Sequence, residues 1–340
     1  MKNFWEKLSE KKKPFFCLAP MADVTDSAFR QIITRCGKPD VFFTEFVSCD
    51  GLCSVGQEKL LKDLEFAEIE RPLVVQLFGA RPENFYKSAQ LVAKLGFDGI
   101  DINMGCPQKN ILKQGAGADL IQHFDLAKEI IRATKKGAGK LPVSIKTRIG
   151  FNKNEIEKWL PILLAEKPVA VTIHGRTKKE MSKIPAHWDI IERGVAIAKG
   201  SGVLIIGNGD VKSVEDGERQ ARASGVAGVM IGRAIFGNPW LFNLEALLPN
   251  KNEKLKVLLE HLKLFEKLYG ETEKKETRNK FQETKKIVGR VPKPTVGRSK
   301  PFNLMKKHIK SYLTGFDGAK ELRLKLMEAS NGEEAKNILQ

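Results

Sequence analysis

The residues best suited to chemistry lie in one run, Gly99-Ile100-Asp101-Ile102-Asn103-Met104-Gly105-Cys106-Pro107, which continues to Gly115-Ala116-Gly117-Ala118. Apolar residues alternating with polar ones read as a buried strand. Gly-Cys-Pro cannot continue that strand, because Gly permits unusual φ and Pro lacks a donor. The Cys106 thiol is therefore lifted to a strand exit on a turn of forced shape. Asn103, three residues earlier, has a carboxamide able to face the same small planar ligand. The glycines at 115 and 117 let the backbone pass close to something before the next helix. Taken alone, the run is equally well explained by a cysteine acting as a small hydrophobe in a tight turn.

Several other strands end in polar or reactive groups. Apolar runs at 15–20, 41–46, 73–79, 99–105, 143–149, 170–175, 203–210 and 228–233 alternate with helical patterns. The helices are expected near 27–36, 82–95, 117–136, 153–165 and 187–199, and after Pro239. Alternation implies a parallel sheet with helical crossovers, and eight units match a closed (β/α)8 TIM barrel. An open doubly wound sheet usually carries a Gly-rich turn after its first strand. Here that place holds Ala19-Pro20-Met21-Ala22-Asp23.

A barrel of this kind works at the C-terminal ends of its strands. In chain order those ends deliver Pro20-Met21, Glu45, Gln76, Asn103 with Cys106, Lys146 with Arg148, and His174 with Arg176. The last two deliver Asn208-Gly209-Asp210 and Gly232-Arg233. The glycines of the last two ends allow backbone N–H groups to approach a phosphate, and Arg233 adds a charge-assisted contact. Gln76 can both donate to and accept from a ring imide edge. Lys146 can stabilise an anionic reduced ring, and the turn at 19–22 can pack against it. The set argues for FMN, while spacing alone also admits a sugar-phosphate substrate.

The 340 residues carry 58 Lys+Arg against 41 Asp+Glu, a net charge of +17. Residues 251–310 hold 18 Lys+Arg against 7 Asp+Glu, a net of +11, which suggests a polyanionic partner. After about residue 245 the strand–helix alternation stops. The expected division is a catalytic barrel over 1–245 and a smaller, basic, all-helical domain over 246–340. That domain has helices near 252–269, 301–312 and 318–330, and a flexible segment near 271–300. No apolar run is long enough for a membrane span. The N-terminus shows no signal-peptide pattern. The five cysteines show no metal-ligand spacing. A reduced cytoplasmic protein without a metal is expected, with the oligomeric state left open and a monomer compatible.

The ordered motifs resemble the tRNA-dihydrouridine synthases. The resemblance rests on Ala19-Pro20-Met21-Ala22-Asp23-Val24-Thr25-Asp26 with Phe29-Arg30, Asp101-Ile102-Asn103-Met104-Gly105-Cys106-Pro107, and Gly115-Ala116-Gly117-Ala118. It continues through Lys146-Thr147-Arg148, His174-Gly175-Arg176-Thr177 and Gly207-Asn208-Gly209-Asp210, and extends to Lys306-Lys307-His308-Ile309-Lys310-Ser311-Tyr312-Leu313 with Gly315-Phe316. It implies a bacterial-type FMN enzyme that uses NADPH (or NADH) to reduce the C5–C6 bond of a uridine in tRNA. By motif position, Pro20, Met21, Gln76, Lys146, His174, Asn208, Gly209, Asp210, Gly232 and Arg233 would hold FMN. Asn103 would hold the uracil, Cys106 would be the acid, and Arg148 and Arg176 would lie near the substrate. Hydride addition at C6 leaves C5 needing a proton, and a thiol of ordinary pKa is protonated at pH 7. A uridine inside folded RNA must be turned out of its stack to reach a barrel mouth.

The chain departs from the family pattern after Thr177. It runs Lys178-Lys179-Glu180-Met181-Ser182-Lys183-Ile184-Pro185-Ala186-His187-Trp188, with Pro185 near the place of the usual glycine. The basic stretch 271–300 is longer than the usual connection. Two other functions compete. A dihydroorotate-type flavin barrel acting on a free pyrimidine would turn over without tRNA. A flavin-free RNA-binding barrel would be colourless.

Overall fold

The computed structural model describes residues 2–245, 249–270 and 300–340. The eight apolar runs become the strands β1 (Phe15–Leu18), β2 (Phe42–Ser48), β3 (Leu73–Phe78), β4 (Gly99–Met104), β5 (Val143–Arg148), β6 (Ala170–His174), β7 (Leu204–Asn208) and β8 (Gly228–Ile231). All pair in parallel, in the order β1-β8-β7-β6-β5-β4-β3-β2. The two ends of that order also meet. Cys17 bridges Val41. The Leu18 N–H donates to the Val41 carbonyl at 3.1 Å, and the Val41 N–H donates to that of Phe16 at 3.2 Å. The sheet is therefore a closed (β/α)8 barrel, and closure removes the unpaired edges an open sheet would present.

The strand starts are plugged from below. Helix Phe4–Ser9, opened by a capping box between Asn3 and Glu6, buries Trp5 and Leu8. The Trp5 ring lies 5.8 Å from that of Phe15, the first residue of β1. These side chains share a core cluster with Val41, Phe43, Val74, Ala170, Ile206 and Met230. Six residues are too few for a helical period to be legible, so the sequence gives no warning of this helix.

Helices Ser27–Cys36, Pro82–Leu95, Ile156–Ala165 and Trp188–Ala198 lie where the periodicity predicts. Two expectations change. The single helix predicted over 117–136 divides into a 3-10 turn, Gly117–Gln122, and a helix, Phe124–Ala138. Gly117 has φ +65°, and a Cβ there would lie 2.8 Å from the Cys106 carbonyl oxygen. The chain must pass tightly under the Cys106 turn before a helix can start. No helix starts at Pro239: residues 239–245 run through turns, and the next described helix begins at Lys251. The Asn243 carboxamide accepts from the Glu245 N–H at 3.1 Å, a local bond that competes with helix.

A buried ion pair holds the turn after β1. Arg30 Nε donates to Glu70 Oε2 at 2.6 Å, with the two side chains 1% and 0% exposed. Arg30 also donates to the Thr25 carbonyl, and Glu70 accepts from the Ser27 hydroxyl and the Ala67 N–H. Thr25 Oγ1 in turn accepts from the Met21 N–H at 3.0 Å. The shape of the Pro20–Met21 turn is thus tied to the pair.

The chain divides into two compact units, Met1–Leu247 and Leu248–Gln340. In the second, helices Lys251–Tyr269, Met305–Tyr312, Ala319–Glu328 and Gly332–Leu339 pack around Leu258, Leu262, Phe265, Ile309 and Leu326. His261 and His308 are buried there, with ring centroids 4.6 Å apart, and burial holds both neutral at pH 7. Lys256, Lys263, Lys267, Lys307 and Lys310 lie on exposed faces. The predicted flexible segment falls almost wholly outside the described residues.

Candidate active site

The barrel register brings the strand ends level. Asn103 pairs across from Lys146, Arg148 from His174, and His174 from Asn208. A cavity of about 260 Å³ opens there, lined by Pro20, Met21, Ala22, Phe46, Gln76, Asn103, Gly105, Cys106, Pro107, Gln108, Lys146 and Arg148. Seven predicted residues thus share one space. Phe46 and Gln108 were missed. Phe46 is the last aromatic of an apolar strand, which reads as core, and Gln108 follows a proline in a turn with no period to aim it.

The amides in this cavity are oriented by their partners. Asn103 Oδ1 accepts from the backbone N–H groups of Gly105 at 3.1 Å and Cys106 at 2.9 Å. Only an oxygen can accept both, so the nitrogen points the other way. Asn103 Nδ2 donates to Gln76 Oε1 at 2.9 Å, and Gln76 Nε2 donates to Asp101 Oδ2 at 2.7 Å. Asn103 therefore retains one N–H for a ligand and no acceptor. Gln76 retains one N–H and one lone pair.

Burial raises the Cys106 thiol above its ordinary value, against the pull of the Gln108 N–H, Arg148 and Lys146. It stays protonated at pH 7. Lys146 is lowered to about 8 by burial and by Arg148, which leaves it mostly charged at pH 7. Lys146 Nζ donates to Asn208 Oδ1 at 3.2 Å, and Asn208 Nδ2 donates to the Met230 carbonyl at 2.8 Å. These bonds link the cavity to the β7–β8 side.

That side is a cationic cluster around one carboxylate. Arg176 Nη2 and Arg233 Nη2 both bond Asp210, the latter at 2.8 Å, and the Ala186 N–H donates to it at 2.9 Å. The pairing with Arg176 holds Asp210 below the usual carboxylate range. His174 is held well below its ordinary pKa by burial and by the four surrounding cations, and is neutral at pH 7. Arg176 Nη1 lies 3.1 Å from His174 Nε2. A guanidinium only donates, so Nε2 accepts and Nδ1 carries the proton.

The two arginines predicted near substrate have structural work. Arg176 is 2% exposed, and its Nε donates to the Ile184 carbonyl at 2.5 Å. With its other bonds to His174 and Asp210, its guanidinium is directed into the protein. Arg148 donates from Nε to the Gly105 carbonyl at 2.7 Å and from Nη1 to that of Thr177 at 3.1 Å. It borders the cavity and also ties the Cys106 turn to the loop after β6. Loop carbonyls taken from water need donors, and long arginines supply them. The glycines differ in kind as well. Gly209, at φ +133°, could not carry a Cβ without meeting that of Ala186 at 2.6 Å, so the protein's own packing requires it. A Cβ on Gly232 would meet Ala19 Cβ at 3.5 Å and Met21 Sδ at 3.8 Å, both ordinary contact distances, so the protein's own packing does not require glycine there.

The family model described as dihydrouridine synthase matches residues 17–340. A protein of Staphylococcus aureus (strain COL) named "Probable tRNA-dihydrouridine synthase" is 40% identical over 341 residues, covering 99% of this chain and 94% of its own. "Probable tRNA-dihydrouridine synthase 2" of Bacillus subtilis (strain 168) is 39% identical, covering 99% and 95%. Among solved structures, a morphinone reductase superposes with a TM-score of 0.51 at 14% identity, over 72% of this chain and 90% of its own. At that identity the likeness concerns the fold.

Proposed function

The chain belongs to the dihydrouridine synthase family, and from that premise we propose that it reduces the C5–C6 bond of a uridine in tRNA, with Cys106 as the proton donor. One observation carries the reading: a thiol kept protonated by burial shares a cavity with Gln76, Asn103 and Lys146. A general acid needs its proton at the working pH and within reach of the reacting atom.

The donor set fits FMN. Lys146 makes one hydrogen bond among the described residues and has two more N–H groups to give. Gln76 keeps one donor and one acceptor, as a ring imide edge requires. His174 offers Nδ1–H, and the protein's own packing does not require glycine at 232. Bound FMN, reduced by NADPH or NADH, would supply the hydride. Pro20, Met21, Gln76, Lys146, His174, Asn208, Gly209, Gly232 and Arg233 would hold it. Asp210 serves by orienting Arg233, since its own charge opposes a phosphate. Asn103 gives its one N–H to a uracil carbonyl and holds the Cys106 turn with its oxygen. Arg148 would steady the turn beside the substrate, and Arg176 the loop above it. The uridine must leave the RNA stack to enter a cavity of this size. The basic residues of 246–340 would grip phosphates, and the reaction would run in the cytoplasm.

The test is to express the protein in a bacterium lacking its own dihydrouridine synthases and map the tRNA by nucleotide-resolved mass spectrometry. Dihydrouridine at one defined position is expected. A soluble yellow protein that leaves all tRNA unmodified, including tRNA of its source, but reduces a free pyrimidine would overturn the assignment.

A further inference from the structure

Asp101 lies inside the barrel wall, fully buried, beneath the residues that face the cavity. Its Oδ1 accepts from Ser144 Oγ and its Oδ2 from Gln76 Nε2, both at 2.7 Å. The chain of bonds continues without a gap: Gln76 Oε1 accepts from Asn103 Nδ2, and Asn103 Oδ1 accepts from the N–H groups of Gly105 and Cys106. We propose that Asp101 is a positioning residue, which fixes the orientation of two successive amides and through them the placement of the Cys106 thiol. This rests on the reading of Cys106 as the proton donor.

The argument is one of polarity. A carboxylate only accepts, so the Gln76 group facing it must be the amide nitrogen. The Gln76 oxygen then faces Asn103 and selects its nitrogen. The Asn103 oxygen is left to collect the two turn N–H groups. Reversing either amide would set donor against donor in a buried site and leave groups unpaired. Each amide alone has two orientations of similar shape. The carboxylate at one end of the line fixes Gln76, and with the turn N–H groups at the other end it admits a single arrangement of both amides. The same order leaves Asn103 with a donor only, which suits a carbonyl of the substrate ring. Asp101 does not line the cavity, and its side-chain bonds go to Gln76 and Ser144, so its effect is transmitted.

The variants Asp101→Asn and Asp101→Leu separate the roles. Asparagine can still accept from Gln76 while its nitrogen donates to the Ser144 hydroxyl, which is able to accept. Leucine removes the acceptor. With reduced holoenzyme and unmodified tRNA, Asp101→Leu is expected to lower kcat by about 100-fold, the scale of a 1 Å misplacement of a reacting group. Its KM for tRNA should stay unchanged, and Asp101→Asn should recover most of the loss. Peptide-level mass spectrometry should show faster alkylation of Cys106 in the leucine variant. An unchanged kcat in Asp101→Leu, or a loss in Asp101→Asn as deep as that in Asp101→Leu, overturns the proposal. Should Asp101→Leu not fold, Gln76→Leu breaks the next link. Alkylation of Cys106 at the parent rate in that variant also overturns the proposal. A parent enzyme that makes no dihydrouridine would instead defeat the functional reading.

Discussion

Replacing Cys106 by alanine removes one sulfur and little else. The Cys106 turn is held through backbone, by Asn103 Oδ1 on two N–H groups and by Arg148 on the Gly105 carbonyl. None of these bonds uses the thiol, so the turn keeps its shape in Cys106→Ala. Burial raises the thiol pKa above its ordinary value, so the group stays protonated at pH 7. The parent therefore holds almost its full complement of acid, and the variant holds none. A positioned general acid contributes about 10²–10⁴-fold. The barrier should rise by about 3–5 kcal/mol. The assay is a single turnover with prereduced enzyme and unmodified tRNA, quenched and read as dihydrouridine by mass spectrometry. Oxidation of NADPH with oxygen as acceptor serves as the control. The control should match the parent while dihydrouridine formation collapses. The parent rate should be level through neutral pH and fall only at alkaline pH, above the range of an ordinary thiol, as Cys106 ionises. Parent-like turnover by Cys106→Ala would refute the reasoning. So would a parent rate that climbs with pH through that range, because a thiolate would then be the working form.

Three further outcomes follow. Arg30→Met leaves Glu70 buried without its cation and should cost about 3–5 kcal/mol in urea unfolding, partly restored by adding Glu70→Gln; a loss under about 1 kcal/mol would show that the pair is dispensable. Lys146→Met should stabilise the flavin-free protein while weakening flavin retention, because burial lowers the folded-state pKa from 10.5 to about 8 and disfavours the charged form. The gain should be full below about pH 8 and vanish above about pH 10.5, where the folded and unfolded lysines are both neutral; a gain independent of pH would point to packing instead. The tRNA dissociation constant should rise steeply with salt, with a logarithmic slope of roughly 0.7–0.9 per phosphate contact, and a flat response would remove the role given to the basic residues of 246–340.

Much of the barrel was legible because its signals are local. A β-strand buried on both faces is a short apolar run, and eight such runs alternating with helices admit few topologies. The ends of those runs could be read off directly, which is how Gln76, Asn103, Cys106 and Lys146 came to be singled out together. Short elements were not legible: helix Phe4–Ser9 has too few residues for a period, and the division of 117–136 depends on Gly117 passing under the Cys106 carbonyl. Asp101 carried a faint signal, a lone carboxylate in mid-strand, but nothing local says that it faces Gln76 rather than a cation.

The sequence by itself determined the strand count, the parallel order and the residues that reach the barrel mouth, because periodicity and chain direction are properties of the chain alone. It also determined the family, through motifs kept in order. Only the tertiary structure decided what each side chain does there. The resemblance puts Arg148 and Arg176 near the substrate, and only the structure shows that their guanidinium groups also donate to the carbonyls of Gly105, Thr177 and Ile184. The resemblance places Asp210 at the cofactor, and the structure shows it gathering two arginines. Asn103 looks able to donate and accept, but two backbone N–H groups occupy its oxygen. Hydrogen-bonding capacity is shared among whatever packs nearby, and that neighbourhood exists only once the barrel has closed.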